Sequence, residues 1–277
     1  MRFVYYSILW CLWCGEQVTI AQNSAKTPPQ SFGWDTNGDT LITPIAEKSD
    51  YATVLIRDKF KKPIEYGCYY KGKRDGNWAV LYPSDSTLQS LSTYKEDKKD
   101  GISLIFGESG GIETEENYRN GWLHGLRRVF VSNTRQKQLE EHYEQGILDG
   151  KWERWYTSGK VAERCSYVKG KKSGEAVWYY ESGQILTVYH YQNGQIEGSV
   201  LSYYENGQIK SETNFVHNEM EGIAKFYYPN HQIKIESKYK SGKKEGIWTY
   251  YTEEGKISKT EKYKNDQLIE EKTKIKP

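Results

Sequence analysis

The sequence predicts an all-β protein, an elongated single-layer antiparallel sheet of stacked β-hairpins with a 24-residue period. Two observations carry this prediction. Gly174, Gly198, Gly222 and Gly246 stand 24 residues apart each time, and Gly150, Gly125, Gly101 and Gly76 continue the series backward at spacings of 24 or 25. Between successive glycines lie two runs of β-branched and aromatic residues separated by a turn, with no helical period, which is how strands and hairpin loops read. Composition agrees: 24 Tyr, 9 Trp and 25 Gly in 277 residues, 14% aromatic overall, is too rich in rings for a disordered chain.

Each unit is built the same way. Its glycine opens a short strand, as in Lys151-Trp152-Glu153-Arg154-Trp155-Tyr156 or Ile247-Trp248-Thr249-Tyr250-Tyr251. A turn follows, such as Glu205-Asn206-Gly207-Gln208, and then a second strand that begins at Ile185, Ile209, Ile233 or Ile257 and ends at Tyr191, Phe215, Tyr239 or Tyr263. A second turn, such as Gln192-Asn193-Gly194-Gln195, leads to the next opening glycine. Asn-Gly supplies the positive φ values of two-residue hairpin loops, whose twist matches the flanking strands. Gly101, Gly125, Gly150, Gly174, Gly198, Gly222 and Gly246 are therefore expected to be structural turn glycines. Eight units fill residues 76–269, and 52–75 reads as a degenerate first repeat that keeps the Tyr69 and Gly72 landmarks.

The flanks differ. Met1-Arg2 precedes an apolar run from Phe3 to Gly15, too short for a spanning helix of about 20 residues and suited to a secretory signal. Thr19-Ile20-Ala21 ends that signal, residues 1–21, and leaves Gln22 as the mature start, with no transmembrane span after signal removal. Residues 22–51 carry Pro28, Pro29 and Pro44 and read as a linker. Asp35-Thr36-Asn37-Gly38-Asp39 places carboxylates at alternate positions, as a hard cation requires, but Thr40 and Ala46 replace the glycine and glutamate of a calcium loop. A turn is the simpler reading, and no metal is expected. Residues 270–277 form a charged tail.

The skeleton Tyr167-x-x-Gly170-x-x-x-Gly174, followed by Trp178-Tyr179-Tyr180 and Gly183, resembles the MORN repeat, and more closely the variant MORN repeat of bacterial proteins of the YwqK antitoxin type. It recurs as Tyr191-x-x-Gly194-x-x-x-Gly198 and Tyr239-x-x-Gly242-x-x-x-Gly246. The resemblance covers 76–266. It departs at Asn218, His231 and Asp266, where a turn glycine is missing, and across Ser132 to Gln138. Asn and Asp still hold turn conformations, so the sheet is expected to continue there. The resemblance implies a cytoplasmic antitoxin, which the export signal opposes.

A two-residue loop at Asn206-Gly207 pairs Tyr204 with Ile209, Ser202 with Ser211 and Val200 with Thr213. Extended along the chain, this register collects Trp152, Tyr156, Val161, Tyr167, Trp178, Tyr180, Ile185, Tyr191, Phe226, Tyr228, Ile233, Ile235, Tyr239, Trp248 and Ile257 on one face, expected to be structural. Lys151, Glu153, Arg164, Lys210, Glu212, Lys225, Lys234, Glu236, Lys238 and Lys262 fall on the other and face water. So does the sixth residue of every unit: Leu81, Phe106, Phe130, Trp155, Tyr179, Tyr203, Tyr227 and Tyr251. These rings either stack on like neighbours or form an exposed binding stripe; Phe106 through Tyr251 are the candidate binding residues.

Catalytic chemistry is not expected. The five histidines fall at five different positions of the repeat, and a stacked array spreads them apart where a catalytic or metal site needs convergence. Glu140 and Glu141 are neighbours that a strand sends to opposite faces. Four cysteines exclude a disulfide-dense scaffold, and Cys68 and Cys165, four units apart and on opposite faces, cannot pair. With 39 basic against 37 acidic residues, the balance lacks the basic excess of a nucleic-acid binder. The expected function is a non-enzymatic, cofactor-free scaffold for protein–protein interaction, exported to the cell envelope or outside. The alternatives are a glycan or cell-wall binding module using the aromatic stripe, and the cytoplasmic antitoxin.

Overall fold

The computed structural model describes residues 40–46 and 49–274. The segment expected to be a signal, 1–21, and most of the expected linker, Asp35 to Asp39 included, lie outside the described residues. One open antiparallel sheet of 25 strands runs through the rest, each long strand pairing with the next in sequence. Five of the 25 are two-residue pieces, such as Gln195–Ile196 before Gly198–Tyr203, split from the longer strand by a bulge. The edges are Thr40–Pro44 and Gln267–Thr273. Both extend the sheet past its expected limits: Thr40–Pro44 is strand within the segment read as linker, and residues 270–273 are strand where a tail was expected.

Turns of two kinds alternate between the ends of the strands. At one end they are two-residue type I′ loops: Asn193 and Gly194 have φ of 53° and 85°, and Gln192 stands opposite Gln195. Glycine is not essential there. His217-Asn218 and Asn265-Asp266 hold the same conformation, with φ of 52° and 69°, and 48° and 69°. Asn and Asp also gain a bond: Asn218 Oδ1 accepts the Ile196 N–H at 2.7 Å and Asp266 Oδ1 the Lys244 N–H at 2.7 Å, tying each turn to the one before.

The other end corrects the expected loop. Tyr204 N–H donates to Gln208 O at 2.8 Å and Gly207 N–H to Tyr204 O at 2.9 Å, with Gly207 alone at positive φ, 85°. This is a three-residue loop, a type I turn closed by a G1 bulge. Tyr203, not Tyr204, therefore faces Ile209, and a bulge at Lys210 restores the expected pairs Ser202–Ser211 and Val200–Thr213. Consequently Val161, Ile185, Ile233 and Ile257 leave the structural face and stand opposite the sixth residues Trp155, Tyr179, Tyr227 and Tyr251. The 25-residue spacings also find their cause here: the loops closed by Tyr82 N–H to Thr87 O and Val131 N–H to Gln136 O are one residue longer, so the strand register is undisturbed.

Burial falls mostly on one face, along the row that pairs the third residue of each unit with the middle of the following strand. Trp78, Ser103, Ala176, Val200, Ala224 and Trp248 lie on it, each under 5% exposed. A single layer achieves this because tyrosines at the strand ends fold over the row. The rings of Tyr239 and Tyr263 meet Trp248 edge-on, with centroids at 5.2 and 5.5 Å, and Lys244 Nζ sits 4.3 Å above it. Each aromatic pair contributes about 0.5–1.5 kcal/mol beyond area burial.

The repeats are also clasped through the backbone. The seventh residue of a unit, past the strand end, donates its phenol to the sixth-residue carbonyl of the next unit: Tyr156 to Tyr179 O, Tyr180 to Tyr203 O, Tyr204 to Tyr227 O and Tyr228 to Tyr251 O, at 2.7 to 2.9 Å. Tyr82 does the same to Phe106 O at 2.7 Å. Tyr156, Tyr180 and Tyr228, expected on the structural face, thus serve as clasps at its border.

Candidate interaction surface

The buried row carries charge, where the sequence reading collected only aromatic and aliphatic side chains. Glu116 and Glu141 are 9% and 7% exposed and flank Arg127, which donates to them at 3.2 and 2.7 Å. Tyr118, Tyr143 and the Trp152 indole supply further donors at 2.9 to 3.1 Å. Desolvation works against the Arg127 charge, but the two carboxylates outweigh it and hold the guanidinium above its usual pKa. Burial, followed by the adjacent carboxylates, pushes Tyr118 and Tyr143 up to about 12. The signal was present: Glu141 and Glu261 occupy the repeat position of Thr213, which the register already placed opposite Val200. The chemistry is structural, since every member is partnered inside the sheet.

The opposite face is the candidate surface. The sixth residues Phe106, Phe130, Trp155, Tyr179, Tyr203, Tyr227 and Tyr251 all lie on it and all are half-buried. Each stands at its strand's end opposite the first residue of the next strand, such as Ile112, Lys137, Val161 or Ile209. Among the described residues no ring pair joins two members of this ladder, so stacking on like neighbours gives way to rings alternating with aliphatic side chains. Trp155 is capped by Lys137 Nζ at 4.2 Å from its ring centre, and the Tyr227 phenol donates to Glu212 at 3.0 Å.

Beside the ladder runs a row of alternating charge. Arg128 bridges Glu140 at 3.0 Å and Glu115 at 3.3 Å, and Arg164 donates to Glu153 at 2.6 Å. Desolvation raises the Glu140 pKa, but the hydrogen bonds from Arg128 and Lys137 prevail and hold it below the usual range. Glu140 and Glu141 do point to opposite faces, toward Arg128 and Arg127. Ile223 and Ile247, at 61% and 63% exposure, lie on this face as well.

Gly101, Gly125, Gly150, Gly174, Gly198, Gly222 and Gly246, expected in turns, instead sit in the strands beside the bulge that follows each type I′ turn, where each pairs with the aromatic residue near the end of a neighbouring strand; all have positive φ, between 72° and 121°. The histidines stay scattered: His142 and His190 contact the backbone oxygens of Lys151 and Ser199, and His217 approaches Glu197. Among the described residues no group of three or more His, Cys, Asp or Glu side chains could hold a metal ion. Cys68 and Cys165 are not joined in a disulfide.

A sheet of stacked hairpins with partnered internal charge and one laterally continuous face defines a repeat scaffold. The family model described as the MORN repeat variant matches five tandem stretches, 148–169, 172–193, 196–217, 220–241 and 244–265. The chain is a MORN-repeat protein, of a repeat family that is generally non-catalytic. The hairpin array continues with the same turns N-terminal to the matched stretches, back through Gly125, Gly101 and Gly76. A comparison with curated proteins finds no match.

Proposed function

We propose that this MORN-repeat protein is a non-enzymatic scaffold, exported to the cell envelope or outside, that binds a protein partner along the sixth-residue face. The observation that carries the reading is the ladder from Trp155 to Tyr251, half-exposed rings alternating with aliphatic residues beside a paired charge row. Aromatic anchors bordered by polar groups are the usual anatomy of a protein interface. Export is supported by the basic start, the apolar run Phe3 to Gly15 and the small residue Ala21.

Two measurements test this. Tyr179→Ser with Tyr203→Ser should strip partners captured by the wild-type chain from an envelope fraction while circular dichroism is unchanged, since hot spots sit centrally and favour Trp and Tyr. Trp178→Ser with Tyr180→Ser should instead lower stability, because Tyr180 is a clasp and Trp178 packs edge-on against Tyr189 at 4.9 Å. Equal loss of stability in both double variants, with capture falling only in proportion, would sink the reading. Export requires the mature protein to begin at Gln22; a cytoplasmic chain retaining Met1 refutes it.

A further inference from the structure

We propose that a second binding site, independent of the ladder, lies around Trp122 at the type I′ end of the strands and takes a neutral sugar ring. A cleft of about 510 Å³ opens there between two successive turns, lined by Arg119, Asn120, Trp122, His124, Glu144 and Gln145. Its volume is within the range of small-molecule sites, about 300–1,000 Å³.

Two neighbouring positions break the repeat at this cleft. The residue after each type I′ turn is elsewhere Lys73, Lys98, Ile147, Lys171, Gln195, Glu219, Lys243 or Gln267; here it is Trp122. The indole lies against Gly146 of the next turn, where a Cβ would stand 3.0 Å from Cε3, and the side chain is still 64% exposed. One ring face is therefore seated and the other is presented. The residue before the opening glycine is a carboxylate in Asp149, Glu197, Glu221 and Glu245, each accepting a backbone N–H of the next turn at 2.7 to 3.1 Å. In this unit it is His124. Its Nδ1 is buried without a hydrogen-bond partner, 3.4 Å from Glu144 Oε1, within ion-pair reach but off the hydrogen-bond direction. An orphaned buried nitrogen costs stability, and rotation of the imidazole into the cleft would let a ligand hydroxyl relieve it.

The chemistry selects the ligand. A presented indole face suits the C–H face of a pyranose. Asn120 and Gln145 offer both donor and acceptor, Arg119 donates and Glu144 accepts, which matches hydroxyl groups that do both. The opposite charges of Arg119 and Glu144 cancel, so the cleft favours neither anion nor cation, and Glu144 would repel a phosphate.

Calorimetry and saturation-transfer NMR on the full chain would test this with glucose, galactose, mannose, N-acetylglucosamine and their β-1,4-linked disaccharides as probes. At least one should bind saturably, and Trp122→Ala should weaken it by about tenfold or more. Trp122→Phe should retain part of the affinity, and His124→Asp, which restores the carboxylate of the other units, should weaken it. Tyr179→Ser with Tyr203→Ser should leave it unchanged. The proposal is overturned if no probe binds at about 20 mM, or if binding survives Trp122→Ala with the fold intact. Loss of binding in the ladder variant alone would also overturn it, assigning the sugar to the ladder.

Discussion

Glu261 offers the sharpest test of how this single-layer sheet tolerates buried charge. It is 6% exposed and accepts from Lys259 Nζ at 2.6 Å, Tyr250 at 2.6 Å and Tyr263 at 2.9 Å. Burial alone would raise its pKa, but the three donors outweigh burial and bring it from 4.5 to about 2. A depression of that size corresponds to about 3 kcal/mol. Lys259 is 35% exposed, so solvent screening reduces the figure to about 1–2 kcal/mol. Glu261→Gln keeps the shape and removes the charge, and should cost about that much at pH 7. The sign follows from linkage: a carboxylate with a depressed folded-state pKa stabilises above its unfolded value and loses that contribution as pH falls toward the folded one. The gap between wild type and Glu261→Gln should therefore be full above pH 4.5 and close as pH falls to about 2. Because terminal repeats open first, hydrogen exchange over Gly246–Tyr251, Ile257–Lys264 and Gln267–Thr273, alongside urea titration, would read it. A gap equally wide at pH 7 and pH 2.5, or absent at pH 7, would refute the reasoning.

Three further outcomes follow from the same structure. Arg127→Met removes the counter-ion that the buried Glu116 and Glu141 share and should cost about 3–5 kcal/mol; adding Glu116→Gln and Glu141→Gln should recover much of it in urea denaturation. Tyr180→Phe removes one inter-repeat clasp of 2.9 Å and should cost about 1 kcal/mol, read as faster exchange at the Tyr203 turn. Cys165 is 2% exposed, and burial pushes its thiol up to about 11, so iodoacetamide at pH 8 should label it only after denaturation, as mass spectrometry would show.

The period, the fold class and the pairs Val200–Thr213 and Ser202–Ser211 were legible in the sequence. A 24-residue repeat can only stack, and strand alternation then fixes which side chains share a face. The turns at Asn218 and Asp266 were legible too, because Asn and Asp tolerate positive φ as glycine does; His231 also takes a positive φ, 67°, in place of glycine. The loop at Glu205-Asn206-Gly207 was not. Asn-Gly serves both a two-residue loop and the close of a three-residue one, and only the backbone hydrogen bonds of Tyr204 distinguish them. That one residue moved Val161, Ile185, Ile233 and Ile257 beside the ladder and made Tyr180 a clasp. The partners of Glu116, Glu141 and Glu261 also needed the tertiary structure. The sequence shows where a carboxylate falls in the repeat, but whether it meets Arg127, Lys259 or water depends on side chains of its own and the neighbouring strands, 2 to 14 residues away, reaching along and across the same row. The sequence by itself determined the array and its period; the folded sheet decided which face was sealed, which charges were buried and where Trp122 and His124 came together, because those depend on contact between repeats.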